Sequence, residues 1–324
     1  MKLMGATQAV RTLGRDFIAR SGMAAFLLRY LSGGVRIIMY HGISDGGVPA
    51  SLFERQLRFF KRHFDVFWAS ELPSLLSGDI VPNRPPVVLT FDDGLRNNAT
   101  VAAPLLEKYD IKATFYLVSD LLSGGRMMWN HELRCRLLSA HEGVLPAEVP
   151  RLPARGAGRK RVVAKFVSEV KQWRENRKLE LLHAVREATP AFVPEPWMRE
   201  EFEIMSVEEA RSLPPVVEIG SHTRTHPILD KVTLERAVDE IVGSKHVLEE
   251  VLGRDIRTFC YPNGQFSGDV ARLVAMHYDA AVTVEQGVAS AQSERHRLPR
   301  IMAGASYPQF VAWLVRPPAL REVM

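Results

Sequence analysis

Residues 87–94 read VVLTFDDG, an apolar run that ends in two adjacent carboxylates and a glycine. Successive side chains of a strand point to opposite faces, so Asp92 and Asp93 cannot both point into a sheet. We therefore expect them at the carboxyl end of a strand, the edge at which α/β folds place their chemistry. An Asp-Asp-Gly sequence that stands alone is usually a turn, so a second motif is needed to indicate a site.

A second polar motif follows a second apolar run: residues 216–220 read VVEIG and residues 222–226 read HTRTH. Histidines four residues apart lie about one helical turn from each other, so both imidazoles can reach one ion. Two histidines and one carboxylate form a triad that leaves coordination positions open for water and substrate. Pro227 disfavours helical backbone at His226, which places the pair on a short loop after a strand.

The two motifs resemble those of a known family, the polysaccharide deacetylases of carbohydrate esterase family 4, also called NodB-like deacetylases. The resemblance extends over residues 35–301 and implies an α/β fold, a distorted (β/α) barrel. It implies that Asp92 is the general base and that Asp93 is a metal ligand. His222 and His226 are implied as the remaining ligands of a zinc ion, with another divalent transition metal as the alternative.

The third motif of the family places R-x-P-Y-G or A-Y-P-Y-G after a strand, and residues 258–264 read TFCYPNG here. The resemblance implies substrate contacts by the last four of these residues, Tyr261, Pro262, Asn263 and Gly264. Cys260 stands where many members carry an arginine, so the usual partner of the base is missing. Arg300 is expected either to supply this guanidinium from another strand or to be a surface arginine. The family's fourth motif, Asp-x-x-Asp-Trp, has no counterpart in this chain.

The family's fifth motif, a Leu-x-His near the carboxyl end of the domain, is also missing after Gly287. Near the other end of the chain, residues 35–41 read VRIIMYH, a strand with a histidine at its tip. This arrangement is similar to the circularly permuted branch of the family, which acts on bacterial exopolysaccharides. It implies that His41 is the general acid that protonates the departing amine. A capping or core histidine is the alternative for His41, and His296 is a weaker candidate for the acid.

Length, composition and net charge limit the kinds of protein and of partner that this sequence is compatible with. The chain has 324 residues, of which 46% are hydrophobic, which is enough to bury the core of one large domain. Its only two cysteines, Cys135 and Cys260, favour a reducing compartment over a disulfide framework. The net charge of +5 suits an anionic polymer, a lipid-linked saccharide or the inner membrane surface. No helix-turn-helix, zinc-finger spacing or basic-aromatic motif indicates nucleic acid as a partner.

Residues 1–34 are predicted to form a helical extension. Arginines interrupt each apolar run well before the roughly 18 residues that a membrane-spanning helix needs. No signal-peptide pattern is recognisable, so the sequence predicts a cytoplasmic protein without a transmembrane helix. Apolar residues at helical spacing favour a helix that packs against the barrel, with peripheral contact to the inner membrane as the alternative.

Residues 35–324 are predicted to form the catalytic domain, in which strand-like runs alternate with helical patterns as in βα units. Between the two metal motifs, residues from about 121 to 205 predict a helical insertion beside the site. Within it, the basic, proline- and glycine-containing residues 151–165 predict an exposed loop. Residues 232–252 predict one continuous helix. Its expected apolar face consists of Leu234, Val238, Ile241 and Leu248.

Motifs and resemblance together predict a metal-dependent hydrolase that removes N-acetyl groups from amino sugars of a bacterial polysaccharide or its lipid-linked precursor. Two alternatives stay open. One is the same apparatus acting as a deacylase or deformylase on another amide substrate. The other is a metal- or glycan-binding protein that has lost catalysis, against which the intact Asp92 and His41 argue.

Overall fold

The computed structural model describes residues 33–141, 145–154, 156–304 and 306–314. The predicted helical extension over residues 1–34 therefore lies almost entirely outside the described residues, and so does its expected contact with the barrel or a membrane. Within the described ranges, none of the helices combines the length and the apolar character that crossing a bilayer requires.

Parallel strands form a closed barrel. Its seven strands are β1 (Arg36–Tyr40), β3 (Pro86–Phe91), β4 (Ala113–Leu117), β5 (Val217–Ser221), β6 (Thr258–Cys260), β7 (Ala280–Gln286) and β8 (Leu298–Met302). The strand order is β1-β8-β7-β6-β5-β4-β3, and β1 pairs with β3 to close the ring. A short strand, β2 (Asp65–Phe67), adds to the outer edge of β3. The predicted (β/α) barrel is confirmed.

Helices connect the strands, as expected of a parallel sheet. Those before β5 are α1 (Ala50–His63), α2 (Leu72–Ser77), α3 (Ala103–Tyr109), α4 (Trp129–Ser139), α5 (Ala157–Val170), α6 (Glu175–Ala188), α7 (Pro196–Phe202) and α8 (Val207–Arg211). Those after β5 are α9 (Leu234–Val238), α10 (Ser244–Leu252), α11 (Gly268–His277) and α12 (Tyr307–Leu314).

Strand side chains alternate between two buried clusters because successive residues point to opposite faces. One cluster joins Ile38 and Leu89 to buried residues of α1. The other contains Val88 and lies on the opposite face of the strands. Thr90 and Asp92 follow Val88 at intervals of two, so they share the face of Val88 at the carboxyl end of the barrel. This alternation positions the first motif.

The helical insertion has a hydrophobic core of its own, built from buried residues of α4, α5 and α6. The predicted exposed loop over residues 151–165 is wrong in its second half, because α5 begins at Ala157. Val163 and Phe166 are buried on this helix, while its lysines, such as Lys165, face solvent. Lys160, Arg161 and Lys165 therefore lie on the polar face of an amphipathic helix, while Arg159 is buried and donates to the Leu137 carbonyl, so these basic residues do not mark a loop.

The predicted continuous helix over residues 232–252 is interrupted. A π-helical turn, Asp239–Gly243, separates α9 from α10. Leu234 and Val238 are consequently exposed, whereas the other two positions of the expected apolar face are buried. A π turn closes its hydrogen bonds over one extra residue, which shifts the buried face. As a result the carboxylate of Glu240 is completely buried.

Candidate active site

The two sequence motifs meet at the carboxyl end of the barrel. Oδ1 of Asp93 lies 3.5 Å from Nε2 of His222 and 3.5 Å from Nε2 of His226. One ligand atom from each of the three side chains falls within 4.8 Å of the others. All three side chains are buried. The structure thus brings the three predicted metal ligands together at one point.

Left-handed backbone at three positions directs these side chains inward. The φ angles are 76° at Asp93, 69° at Thr223 and 62° at His226. This conformation costs about 1–2 kcal/mol for a residue with a β-carbon, so neighbouring contacts must stabilise it. One such contact is local, since the backbone N–H of His226 donates to Oγ1 of Thr223 over 3.0 Å.

Glu240 supplies the other support for the histidine loop. Its carboxylate accepts hydrogen bonds from the backbone N–H groups of Arg224 and Thr225, both at 2.8 Å, and from the Thr225 hydroxyl at 2.6 Å. The guanidinium of Arg236 neutralises the charge at 2.6 Å. Through these three hydrogen bonds, the Glu240 carboxylate fixes the residues that lie between His222 and His226 in the loop.

The two imidazoles differ in protonation. Nδ1 of His222 lies 2.7 Å from the carbonyl oxygen of Cys260, and a carbonyl only accepts, so Nδ1 carries a proton and Nε2 is the nitrogen that faces Asp93. Burial lowers the pKa of His222, but the neighbouring Cys260 and Asp93 outweigh it and hold the pKa well above its ordinary value. Burial, aided by the charge of His222, lowers the pKa of His226 to about 3, which keeps this imidazole neutral. A divalent ion would displace the Nε2 proton of His222, and two imidazoles with the Asp93 carboxylate are the nitrogen and oxygen donors that zinc and similar ions take.

Arg300 binds Asp92, the first carboxylate of the Asp-Asp-Gly motif. Its Nη1 and Nη2 donate to the two oxygens of Asp92, both at 2.7 Å, and Nη1 also donates to Oγ1 of Thr90 at 3.0 Å. Its Nε donates to the Thr283 carbonyl at 2.6 Å. Arg300 is completely buried, so the surface alternative is wrong. Burial alone would raise the pKa of Asp92, but the guanidinium outweighs it and holds the pKa below its ordinary value.

Cys260 makes room for this guanidinium. Its sulfur lies 3.3 Å from Nη2 of Arg300, so a larger side chain at position 260 would occupy the same space. Burial raises the pKa of the Cys260 thiol, which is therefore neutral. The arginine that many family members carry on this strand is replaced here by Arg300, which reaches Asp92 from β8.

His41 lies at the same edge of the barrel. Tyr40 pairs with Phe91 in the β1–β3 ladder, and the N–H of Asp92 donates to the Tyr40 carbonyl at 3.0 Å. His41 therefore stands level with Asp92, and its exposed side chain excludes a core histidine. His296 lies elsewhere. Its Nε2 is 2.8 Å from the Tyr278 carbonyl, which precedes β7 at the opposite end of the barrel.

The turn after β6 holds the four predicted substrate contacts, and they differ in accessibility. Tyr261 is completely buried and its ring stacks on Phe266, with 3.9 Å between the ring centres. This packing withdraws the Tyr261 side chain from the rim, contrary to expectation. Pro262 is also buried. Asn263 and Gly264, with φ angles of 52° and 66°, form the tight turn that lies partly open at the rim.

A family model described as "Polysaccharide deacetylase" matches residues 79–152 and 191–281. These two ranges make up slightly more than half of the 324 residues. The chain belongs to the polysaccharide deacetylase family. The unmatched gap, residues 153–190, contains α5 and α6 of the insertion. The family resemblance stated from the motifs is confirmed.

A curated relative of this chain is YxkH of Bacillus subtilis (strain 168), whose name describes a polysaccharide deacetylase. It is 35% identical over 86 residues, which are 25% of this chain and 31% of that protein. The chain thus matches about a third of the length of this relative.

Two solved structures share the fold. The Streptococcus pyogenes deacetylase PplD in complex with acetate has a TM-score of 0.58 at 20% identity, over 88% of this chain and 99% of that one. IcaB from Ammonifex degensii has a TM-score of 0.56 at 17% identity, over 88% of this chain and 98% of that one.

Three groups near the predicted metal ligands were not assigned from the sequence. Glu240 was missed because the π turn that buries it leaves no periodic signal. Lys171 follows α5 and donates to Oδ1 of Asn263 at 3.0 Å. His131 lies in α4, where burial lowers its pKa to about 4. The insertion that carries the last two has no motif spacing that relates it to the barrel.

Proposed function

We propose that this protein is a metal-dependent hydrolase that removes N-acetyl groups from amino sugars of a bacterial polysaccharide or its lipid-linked precursor. One observation carries the proposal. Ligand atoms of Asp93, His222 and His226 lie within 4.8 Å of one another, directly beside a buried carboxylate, Asp92, that pairs with Arg300. A three-ligand site next to a carboxylate that is not itself one of the three ligands is the arrangement that hydrolytic chemistry requires.

Asp93, His222 and His226 would hold the ion. A divalent ion bound there supplies Lewis acidity, which activates water and polarises an amide carbonyl. The hydrogen bond from His222 to the Cys260 carbonyl orients the imidazole and makes it a better donor. The Glu240 contacts hold the loop that carries both histidines.

Asp92 is suited to take the proton of the attacking water. Its lowered pKa keeps it ionised at neutral pH, and each carboxylate oxygen retains acceptor capacity beyond its bond to Arg300. The bidentate pair fixes the plane of the carboxylate, so the base stays oriented while the proton moves.

His41 is suited to give a proton to the sugar nitrogen as the C–N bond breaks. It follows β1 at the level of Asp92, and its side chain is accessible at the rim. General acid and general base would thus come from neighbouring strands of the barrel. The alternative of an inactive binding protein rested on Cys260 in place of an arginine and on the missing fourth motif, and the arginine supplied by β8 weakens the first of these grounds.

The substrate class rests on family membership. Members of this family are named for the deacetylation of polysaccharides, and an amino sugar presents the amide that the site is equipped to cleave. Both cysteines are free and buried, which supports our proposal of a cytoplasmic location. A protein acting there would meet a lipid-linked saccharide before its export.

Three substitutions test the assignment through amine release and zinc content measured on the same samples. Asp92→Asn is expected to abolish turnover while zinc stays bound, and His222→Ala to lose both. His41→Gln is expected to retain zinc and to lose about a hundredfold or more in turnover, the usual contribution of a general acid. His296→Gln is the matched control and should behave as the wild type. Retained turnover in Asp92→Asn or His222→Ala would disprove the proposal.

A further inference from the structure

Lys171 reaches from the insertion to the barrel. Its Nζ donates to Oδ1 of Asn263 at 3.0 Å, in the turn that follows β6. Burial lowers the pKa of Lys171, and the negative charge of Asp93 opposes this effect. The charge of Lys171 in turn contributes to the lowered pKa of His226. The ammonium group therefore lies within electrostatic reach of the metal ligands.

Arg134 approaches the same region from α4. Its guanidinium carbon lies 5.8 Å from the centre of the Phe202 ring, and the His131 ring lies 4.5 Å from that ring. Phe202 ends α7, and three residues later the N–H of Met205 donates to the carbonyl of Gly94 at 3.0 Å. Arg134 and His131 thus pack against the segment, Phe202 to Met205, that is hydrogen-bonded to the turn of the Asp-Asp-Gly motif.

Neither cation is neutralised within the described part of the chain. Several cations of the insertion pair with a glutamate: Arg136 and Arg186 with Glu132, and Lys178 with Glu175. Lys171 and Arg134 have no carboxylate within salt-bridge distance among the described residues. The charges of both reach His131, whose pKa they lower in addition to the larger effect of burial.

Buried polar atoms around these cations also have no hydrogen-bond partner in the described residues. They are Nε of Arg134, Oδ1 of Asn130, Nδ1 of His131 and Nδ2 of Asn263. Asn130 is only 6% exposed. Buried polar atoms are nearly always paired with protein, water or ligand. These four donors and acceptors are therefore available to bind a polar group that the described residues do not supply.

We propose that Lys171 and Arg134 form a subsite for an anionic group of the substrate, a phosphoryl group or a sugar carboxylate, beside the metal ligands. Lysine offers a point charge and arginine a planar fork, and both suit the oxygens of such a group. The inference rests on the proposed function and adds to it a preference for acidic saccharides over neutral ones. A phosphoryl group would come from a lipid-linked or phosphorylated sugar, and a carboxylate from a uronic acid.

Binding can be measured without turnover. Isothermal titration calorimetry of the zinc-loaded protein at low salt would use inorganic phosphate and glucuronate as probes. Lys171→Met and Arg134→Met are each expected to raise the Kd of the preferred probe about tenfold, the loss of one charge-assisted hydrogen bond. Lys165→Met is the matched control, because Lys165 lies on α5, the helix that Lys171 follows, and its side chain is 81% exposed. Arg134→Gln, which removes the charge but keeps a long polar side chain, replaces Arg134→Met if that variant does not fold.

The outcomes separate the possibilities. Tighter binding of phosphate or of glucuronate assigns the source of the anion. An unchanged Kd for Lys171→Met and the Arg134 variant would mean that the anion binds the metal ion alone, and would overturn the subsite. Failure of the wild type to bind either probe would overturn it as well. Missing amine release with intact, variant-sensitive anion binding would instead count against the proposed function.

Discussion

Replacing Arg300 by methionine leaves the Asp92 carboxylate inside the barrel without its cation. Both carboxylate oxygens lose a donor at 2.7 Å, and the Thr283 carbonyl loses one at 2.6 Å. Removing one partner of a buried ion pair costs about 3–5 kcal/mol, because the remaining charge is uncompensated. We therefore expect the free energy of unfolding of Arg300→Met to be lower by about 3–5 kcal/mol at pH 7.

The same substitution should change the pH dependence of stability. In the wild type the pKa of Asp92 lies below its ordinary value, so the group stabilises the fold at neutral pH and loses this contribution as the pH falls through the folded pKa. Without Arg300, burial is opposed only by the smaller effects of His222 and His41, and we expect it to raise the pKa of Asp92 above its unfolded value. The variant then takes up a proton on folding, and its deficit should shrink as the pH is lowered from 7 towards 5.

Urea unfolding followed by tryptophan fluorescence at pH 7 and pH 5 measures both effects. Arg297→Met is the matched control, because Arg297 pairs with Glu285 at 3.2 Å on the surface. This control should change the free energy of unfolding by no more than about 0.5 kcal/mol. A loss below about 1 kcal/mol for Arg300→Met, or a loss that is equal at both pH values, would refute the reasoning.

Two further substitutions test the support of the site. Glu240→Ala removes the carboxylate that accepts three hydrogen bonds from the histidine loop. In a chelator competition, the Kd for zinc should rise about 10–100-fold. An unchanged Kd, equal to that of the exposed control Glu250→Ala, would contradict this role. Gly220→Ala places a β-carbon against the Tyr116 ring and 2.8 Å from Oγ1 of Thr258, so thermal unfolding should show a loss of about 1–3 kcal/mol. Gly158→Ala, on an open helical face, should be neutral or stabilising, and equal stability of the two variants would rule out the clash.

The metal ligands could be predicted from the sequence because each motif is local. Asp93 follows its strand directly, and His222 and His226 are separated by only three residues, so strand ends and spacing suffice. Both alternatives for Arg300 stayed open, because its partner Asp92 is 208 residues away and only closure of the barrel brings the two together. No pattern along the chain records such a contact.

Other errors had local physical causes. Residues 151–165 read as a loop because basic residues dominate their composition, yet residues 157–165 belong to a helix on which Arg159 and Val163 are buried. The π turn at Asp239–Gly243 shifts the face of its helix by an amount that a regular period cannot anticipate. Lys171 reaches the site through the packing of the insertion, which spacing does not encode.

The central claim is that Asp93, His222 and His226 hold a metal ion used to deacetylate an amino sugar. Elemental analysis, combined with amine release from an N-acetylglucosamine oligomer before and after chelation, tests it most directly. We predict about one zinc ion per chain, the number that one three-ligand site holds, with amine release that stops on chelation and returns with zinc. A protein that binds no metal, or that releases amine equally well after complete chelation, would contradict the account.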